Sequence, residues 1–136
     1  MAIRLKLRTI SKADPQRGWV SSELYDIIAD GVVVGEIQLR LGETDHIRLY
    51  GGHVGYRVAP EHRGHAHAAA ALKALASIAR THDFGVLWIT CRPDNTASQR
   101  TLEKVGAVYE GIVEVPVDSD LYARGDYQMK RYRLIL

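Results

Sequence analysis

The chain has 136 residues, one domain's worth: enough for a core, too few for two ordinary domains. Apolar residues make up 46% and charged residues 25%, which excludes a disordered tail, a collagen-like repeat and an acidic solvating segment. Eighteen Lys and Arg against sixteen Asp and Glu leave a formal charge of +2, far from what charge-driven nucleic-acid binding needs. No apolar run approaches the roughly eighteen residues that cross a membrane. The start, MAIRLKLRTI, alternates charged and apolar residues without a leader's apolar core or cleavage site, and the one cysteine, Cys91, has no internal partner. The cytoplasm is the expected location.

No repeat, low-complexity tract or linker divides the sequence, so residues 1–136 read as a single domain. Residues 3–9 alternate Ile3, Leu5 and Leu7 with Arg4, Lys6 and Arg8, the period of a half-buried strand. Residues 11–18 hold Asp14, Pro15 and Gly18 and read as a loop. Two β-rich runs, 22–29 and 32–40, flank Asp30 and Gly31, a hairpin pair because both turn positions need positive φ. In the second run Val33, Gly35, Ile37 and Leu39 are expected on one face, with Glu36, Gln38 and Arg40 on the other. Residues 41–52 read as a polar loop, and 53–58 as a strand closed by Ala59 and Pro60.

Residues 64–81 are dense in Ala and Leu, and Ala68, Leu72, Leu75 and Ala79 form a stripe meant to pack on a sheet. Residues 84–90 are nearly all apolar, as in a strand buried on both faces. Residues 95–105 predict a second helix, with Thr96 and Gln99 at capping-box spacing and Gly106 suited to follow its end. Strands at 107–115 and 127–135, joined by a polar loop, complete the chain. Helices follow strands only in the middle, so the expected fold class is α/β (or α+β), a mixed sheet with a parallel centre and antiparallel arms.

The chemistry concentrates in residues 55–68, where a strand ends, a short turn follows and a helix opens on small residues. Helix N-termini carry unpaired N–H groups and the positive end of the dipole, and so accept phosphate. Gly64, Ala66 and Ala68 leave the main chain approachable, and Arg63 adds a fixed charge. The segment lacks both the Gly-Lys-Ser/Thr of a Walker loop and the three glycines of a dinucleotide fingerprint.

The run Arg63, Gly64, His65, Ala66, His67, Ala68 resembles the Arg/Gln-x-x-Gly-x-Gly/Ala signature of the GNAT N-acetyltransferase superfamily. The run from Asp94 and Asn95 through Ser98, Leu102 and Lys104 to Gly106 resembles the Asn-x-x-Ser-x-x-x-x-x-Lys-x-Gly-Phe segment of its ribosomal-protein N-acetyltransferase branch. The resemblance spans roughly residues 32–115. It implies a mostly antiparallel sheet with a parallel centre and flanking helices. It also implies acetyl-CoA as co-substrate and acetyl transfer to an amine. Arg57 and Val58 would offer main-chain groups to the pantetheine arm, and Arg63, Gly64, His65, Ala66, His67 and Ala68 would hold the pyrophosphate. Asn95 would lie beside the thioester, and Ser98 would stand near the sulfur and protonate the leaving thiolate. The chain departs from the family at Ala66, where glycine is usual, and at Ala107, where phenylalanine is usual. Many members carry a tyrosine acid on the second helix; this helix has none, and Glu103 stands at the position matched to it. Residues 10–21 are too few for the family's two N-terminal helices, which are expected to be shortened or absent, leaving the acceptor site open or completed by a second subunit.

Acetyl transfer needs a neutral amine, hence a base, and donors for the developing oxyanion, for which a free N–H at the end of strand 53–58 is suited. His53, whose ordinary pKa suits neutral pH, is the first candidate base and Glu36 the second. Both have plain readings as strand residues, as Ser98 does as a buried hydroxyl bonded to its own helix and Asn95 as a helix cap. His62, His65 and His67 open a helix in diverging directions with no Cys or Asp cluster beside them, so no metal site is assigned. The expected function is a cytoplasmic acetyl-CoA-dependent N-acetyltransferase acting on a small-molecule or peptide amine, with no membrane partner, and homodimeric through its terminal strands. The alternatives are a non-catalytic acyl-CoA-binding or regulatory module and, from the basic residues of the terminal strands, a small RNA-binding protein.

Overall fold

The computed structural model describes residues 3–136. Four strands, β1 (Ile3–Ser11), β2 (Ser22–Ala29), β3 (Val32–Arg40) and β4 (Val54–Val58), form an antiparallel sheet in chain order. A second antiparallel sheet runs β5 (Val86–Cys91), β7 (Gln128–Ile135), β6 (Val108–Glu114). Helices α1 (His67–Thr81) and α2 (Thr96–Lys104) follow β4 and β5, and a one-turn α3 (Asp120–Ala123) precedes β7. The mixed α/β class holds. The parallel pair expected at the centre has no ladder: β4 and β5 end their respective sheets and meet at one side only, where the His53 N–H donates to the Trp88 carbonyl at 2.6 Å. Past that point a gap separates them.

The hairpin turns where the sequence places it, with φ of 50° at Asp30 and 80° at Gly31. Register slips between Ile27 and Ile28 opposite Val33 and Gly35, so Val34 is the extra residue of a bulge. Its side chain therefore turns inward and Val33 turns out, 2% against 55% exposed, the reverse of strict alternation. A second slip at Leu7 and Thr9 leaves Leu7 exposed, while Ile3 and Leu5 stay half-buried. Ala71, Leu72, Leu75 and Ala79 of α1 pack with Ile27, Val34, Ile37, Leu39 and Val54 of the first sheet and Leu87, Ile89, Tyr132 and Leu134 of the second. Ala68 of the expected stripe is only half-buried, and Ala69 beside it is buried instead.

The segment read as a polar loop contains a wide helical turn, Ile47–Gly51. Gly52 follows it with φ of +74°, and a Cβ there would stand 2.9 Å from the Trp88 carbonyl oxygen, so only glycine fits the junction between the sheets. No helix separates β1 from β2 among the described residues; an isolated bridge between Asp14 and Trp19 closes that turn. Near the last hairpin the buried Asp126 carboxylate accepts from Arg92 and, at 2.7 Å, from Arg124. No helix of the described residues is long and apolar enough to cross a membrane.

Candidate active site

Helix α1 begins at His67, three residues later than the composition predicts, because the residues before it are wound the other way. Gly64 has φ of +88° and Ala66, the N-cap, sits at φ 61°, ψ 26°. A left-handed alanine costs roughly 1–2 kcal/mol relative to its right-handed form, and the main chain turns outward for it. Among the described residues no protein acceptor takes the N–H groups from Gly64 to Ala69; the first bonded one is Ala70, to the Ala66 carbonyl. Free N–H groups on a turn of mixed hand form an anion-accepting concavity, and here it opens on exposed small residues. A phosphate-bearing ligand fits this surface. Arg63 is braced against the strand end, its Nε donating to the Val58 carbonyl at 2.9 Å.

Strand β4 pairs with β3 on one edge only. The bonds Arg40 N–H to His53 O and Ala59 N–H to Val34 O fix the parity of that ladder, so Val54, Tyr56 and Val58 turn their N–H groups toward the gap beside β5. The Val58 N–H is thus free to meet a ligand, while its carbonyl already accepts from Arg63. Arg57 is not so placed: its main chain belongs to the ladder opposite Glu36, and its side chain projects onto the outer face of the sheet.

Across the gap, α2 is capped by Asn95 and not by Thr96. The Asn95 Oδ1 accepts the Ser98 N–H at 3.0 Å, while Gln99 reaches back to the Pro93 carbonyl. Gly106 follows the helix with φ of +82°, as expected. Ser98 is buried, and its Oγ lies 2.6 Å from the Tyr56 hydroxyl, so it bonds across to β4 and not to its own helix. Tyr56 is the candidate residue that sequence reasoning missed. The sign of it was there: a tyrosine between Val54 and Val58 on the inward face of a strand needs a partner for its hydroxyl. Burial, opposed by the hydrogen bond with Ser98, pushes the phenol up to about 12. Cys91, at the end of β5, adjoins the same pair, and burial pushes its thiol up.

On the outer face of the first sheet an open cleft of about 350 Å³ is lined by Leu24, Glu36, Gln38, Gly55, Tyr56 and Arg57. A neighbouring one of about 300 Å³ shares Glu36 and Arg57 with it. The Glu36 carboxylate faces both and is held by Arg8, which also pairs with Asp26 at 3.2 Å.

His53 does not reach this cleft. It is fully buried, its Nδ1 accepts the Trp88 N–H at 2.9 Å, and its ring meets Phe84 edge-on with centroids 5.0 Å apart. With Nδ1 occupied, the neutral ring carries its proton on Nε2, 3.3 Å from the Glu43 carboxylate but too poorly aligned for a hydrogen bond. A base needs an open lone pair, and His53 has none. Burial lowers its pKa, with Glu43 opposing the shift. The residue clasps the two sheets; the candidate base that remains is Glu36. His67 is likewise buried, its Nδ1 unpartnered, and burial together with the neighbouring His65 and His62 lowers its pKa, so it offers the loop a main-chain N–H and no charge near neutrality. His65 is exposed beside it, ring centroids 5.5 Å apart. No group of three or more metal-ligating side chains is assembled among the described residues.

A left-handed loop with free N–H groups, the bare edge of a strand, and a buried serine across the gap mark the candidate site of this α/β domain. Residues 3–108 match the acetyltransferase (GNAT) domain family, and the chain belongs to that family. Its fold matches the acetyltransferase from Salmonella typhimurium that modifies the N-terminal serine of the 50S ribosomal subunit protein L7/L12, at TM-score 0.65 and 25% identity over 89% of this chain and 66% of the other. It also matches RimJ of Mycobacterium smegmatis, solved with CoA-disulfide, at TM-score 0.65 and 24% identity over 84% of this chain and 53% of that one. The microcin C7 self-immunity acetyltransferase MccE, solved with acetyl-CoA and AMP, shares the fold at TM-score 0.64 and 17% identity, over 85% and 61%. The chain therefore spans less than two thirds of the length of these structures. No curated protein matches it by sequence.

Proposed function

We propose that the chain is an N-acetyltransferase that moves the acetyl group of acetyl-CoA to a primary amine by direct attack in a ternary complex. The observation that carries this reading is the convergence of the free N–H groups of residues 64–69, the open edge of β4 and the Ser98 hydroxyl on one gap. Acetyl-CoA supplies an activated acyl group on a sulfur leaving group. The main-chain N–H groups of Gly64, His65, Ala66, His67 and Ala68 hold its pyrophosphate, with Arg63 adding charge. The Val58 N–H donates to a pantetheine carbonyl in the manner of an added strand. Asn95 keeps Ser98 in place through the cap, leaving its own amide nitrogen toward the acyl end.

The acceptor amine approaches from the cleft lined by Leu24, Glu36 and Gln38. Glu36, directly or through a water, takes the proton that the acceptor ammonium must lose to become the attacking amine. An outward N–H of β4 donates to the oxyanion, and Ser98 donates to the departing sulfur. Acceptors of this reading are peptide N-termini and small primary amines, in keeping with the ribosomal-protein substrate that the Salmonella relative's name states. The cytoplasm and a dimer formed through the exposed Val108, Tyr109 and Ile112 of β6 complete it.

One observation favours a second reading, a non-catalytic acyl-CoA-binding module: the absence of helices between β1 and β2 among the described residues leaves the acceptor cleft open. Calorimetric titration with acetyl-CoA tests both. Binding is expected, and Arg63→Glu with Ala66→Asp should weaken it at least tenfold, about 1.4 kcal/mol or more. A folded protein that does not bind acetyl-CoA refutes both readings. Thiol release with a panel of peptide and small amines then separates them, and Glu36→Gln should abolish release without changing acetyl-CoA affinity.

A further inference from the structure

Tyr56 and Ser98 are 42 positions apart, on β4 and α2, and theirs is a side-chain hydrogen bond that crosses the gap. A serine hydroxyl has one proton to give. If that proton points at Tyr56, nothing is left for a ligand in the gap; if Tyr56 donates instead, the serine proton is free. We propose that Tyr56 is a positioning residue whose hydroxyl donates to Ser98 Oγ and thereby turns the Ser98 proton toward the sulfur of bound CoA. This inference rests on the acetyltransferase reading and assigns the task that a tyrosine on the second helix performs in other members to a strand tyrosine acting through a serine.

The surroundings agree. The phenol is held neutral, so it remains a donor over any working pH. The charged and titratable groups around the pair are few. Cys91 on β5 has its thiol kept protonated by burial, and Tyr132 on β7 is also raised by burial. Lys130 on β7 is engaged with the Gln99 side chain at 3.0 Å, and Glu103 of α2 lies near Tyr132. Of these only Cys91 comes near enough to engage the Ser98 hydroxyl, and a thiol is a weak partner beside a phenol oxygen at 2.6 Å; the backbone of α2 does not take it. In the reaction the amine nitrogen bonds to the acetyl carbon, and the carbon–sulfur bond breaks with its electron pair on sulfur. The sulfur leaves as a thiolate that accepts a hydrogen bond from Ser98. The proton given up by the amine passes to Glu36 and solvent, and the thiolate takes one from solvent, so the balance closes without a further reactant.

The test needs no acceptor. A donor aimed at the sulfur stabilises the thiolate of bound CoA and lowers its thiol pKa. That pKa is read from ultraviolet thiolate absorbance as CoA in complex with the protein is titrated, in a Cys91→Ala background so that only one thiol reports. Wild-type protein is expected to increase the thiol's ionisation constant about tenfold over free CoA, one pKa unit. Tyr56→Phe, which keeps the ring in its packed place, should remove most of that gain while leaving the CoA dissociation constant within about twofold. Ser98→Ala should remove all of it, and Tyr56→Phe with Ser98→Ala should do no more than Ser98→Ala alone, because the tyrosine acts through the serine. An unshifted thiol in all proteins that bind CoA, or additive effects of the two substitutions, overturns the proposal while the acetyl-CoA-binding reading stands. A wild-type protein that does not bind CoA overturns both.

Discussion

Replacing His53 by alanine separates a clasp from a base. The substitution leaves the Trp88 N–H buried without its acceptor, a cost of about 1–3 kcal/mol. It also removes a fully buried ring from beside Phe84, and large-to-small changes at such sites reach about 3–5 kcal/mol in total. At about 3–4 °C per kcal/mol for a domain of this length, the unfolding midpoint should fall by about 10–20 °C. His53→Asn, whose side-chain oxygen still reaches the Trp88 N–H, should recover part of the loss. The pH dependence carries a second signature. Burial holds the folded pKa of His53 below its ordinary 6.5, so the unfolded chain takes up the proton first as pH falls. The stability held by neutral His53 is therefore complete above pH 6.5 and declines below it, by at most about 1.36 kcal/mol per pH unit, until the folded pKa is reached. His67 is shifted in the same direction, so it contributes to the slope left in His53→Asn. Urea unfolding of the three proteins across this range is the assay. If His53→Ala unfolds within about 1 kcal/mol of wild type while thiol release loses its dependence on a group titrating near neutrality, the clasp is wrong and His53 is the base after all.

Ala66→Gly should stabilise the protein by about 0.5–1 kcal/mol, the relief of a left-handed alanine less the added freedom of glycine in the unfolded chain, with acetyl-CoA affinity undiminished; a destabilised variant would show that the alanine is unstrained. Gly52→Ala should lose about 2–4 kcal/mol, since φ there is +74° and the new Cβ would meet the Trp88 carbonyl; an unchanged midpoint in thermal unfolding counts against the tight junction. Desolvation raises the Asp126 pKa, but the hydrogen bonds from Arg124 and Arg92 outweigh it and hold the carboxyl below its ordinary 3.8. Its stabilisation is thus present above pH 3.8 and disappears as pH falls through the folded value. Asp126→Asn should cost about 1–2 kcal/mol near neutrality, since both arginines remain half-exposed and can be hydrated. The difference from wild type should close in acid; a constant difference across an acid titration would exclude the charge as its source.

The amino-acid sequence by itself determines the order of strands and helices, the hairpin at Asp30 and Gly31, the apolar stripe of α1 and the end of α2 at Gly106. Each of these depends on side-chain periodicity or on φ at one or two neighbouring residues, which local sequence encodes. It also marks the anion-accepting loop, because a helix opening on small residues beside an arginine is a local property too. Tertiary structure alone decided the rest. The bulge at Val34 exchanged the faces of Val33 and Val34, because register is set by the partner strand. The parity of the β3–β4 ladder directed Val58 to the gap and Arg57 away from it. His53 was drawn into the junction of two sheets, where the acceptor lone pair that would have made it a base is taken by the main chain of a residue 35 positions on. The Tyr56–Ser98 contact has the same origin: it joins residues 42 apart on elements that share no ladder, and only their packing against one core brings the two hydroxyls to hydrogen-bonding distance.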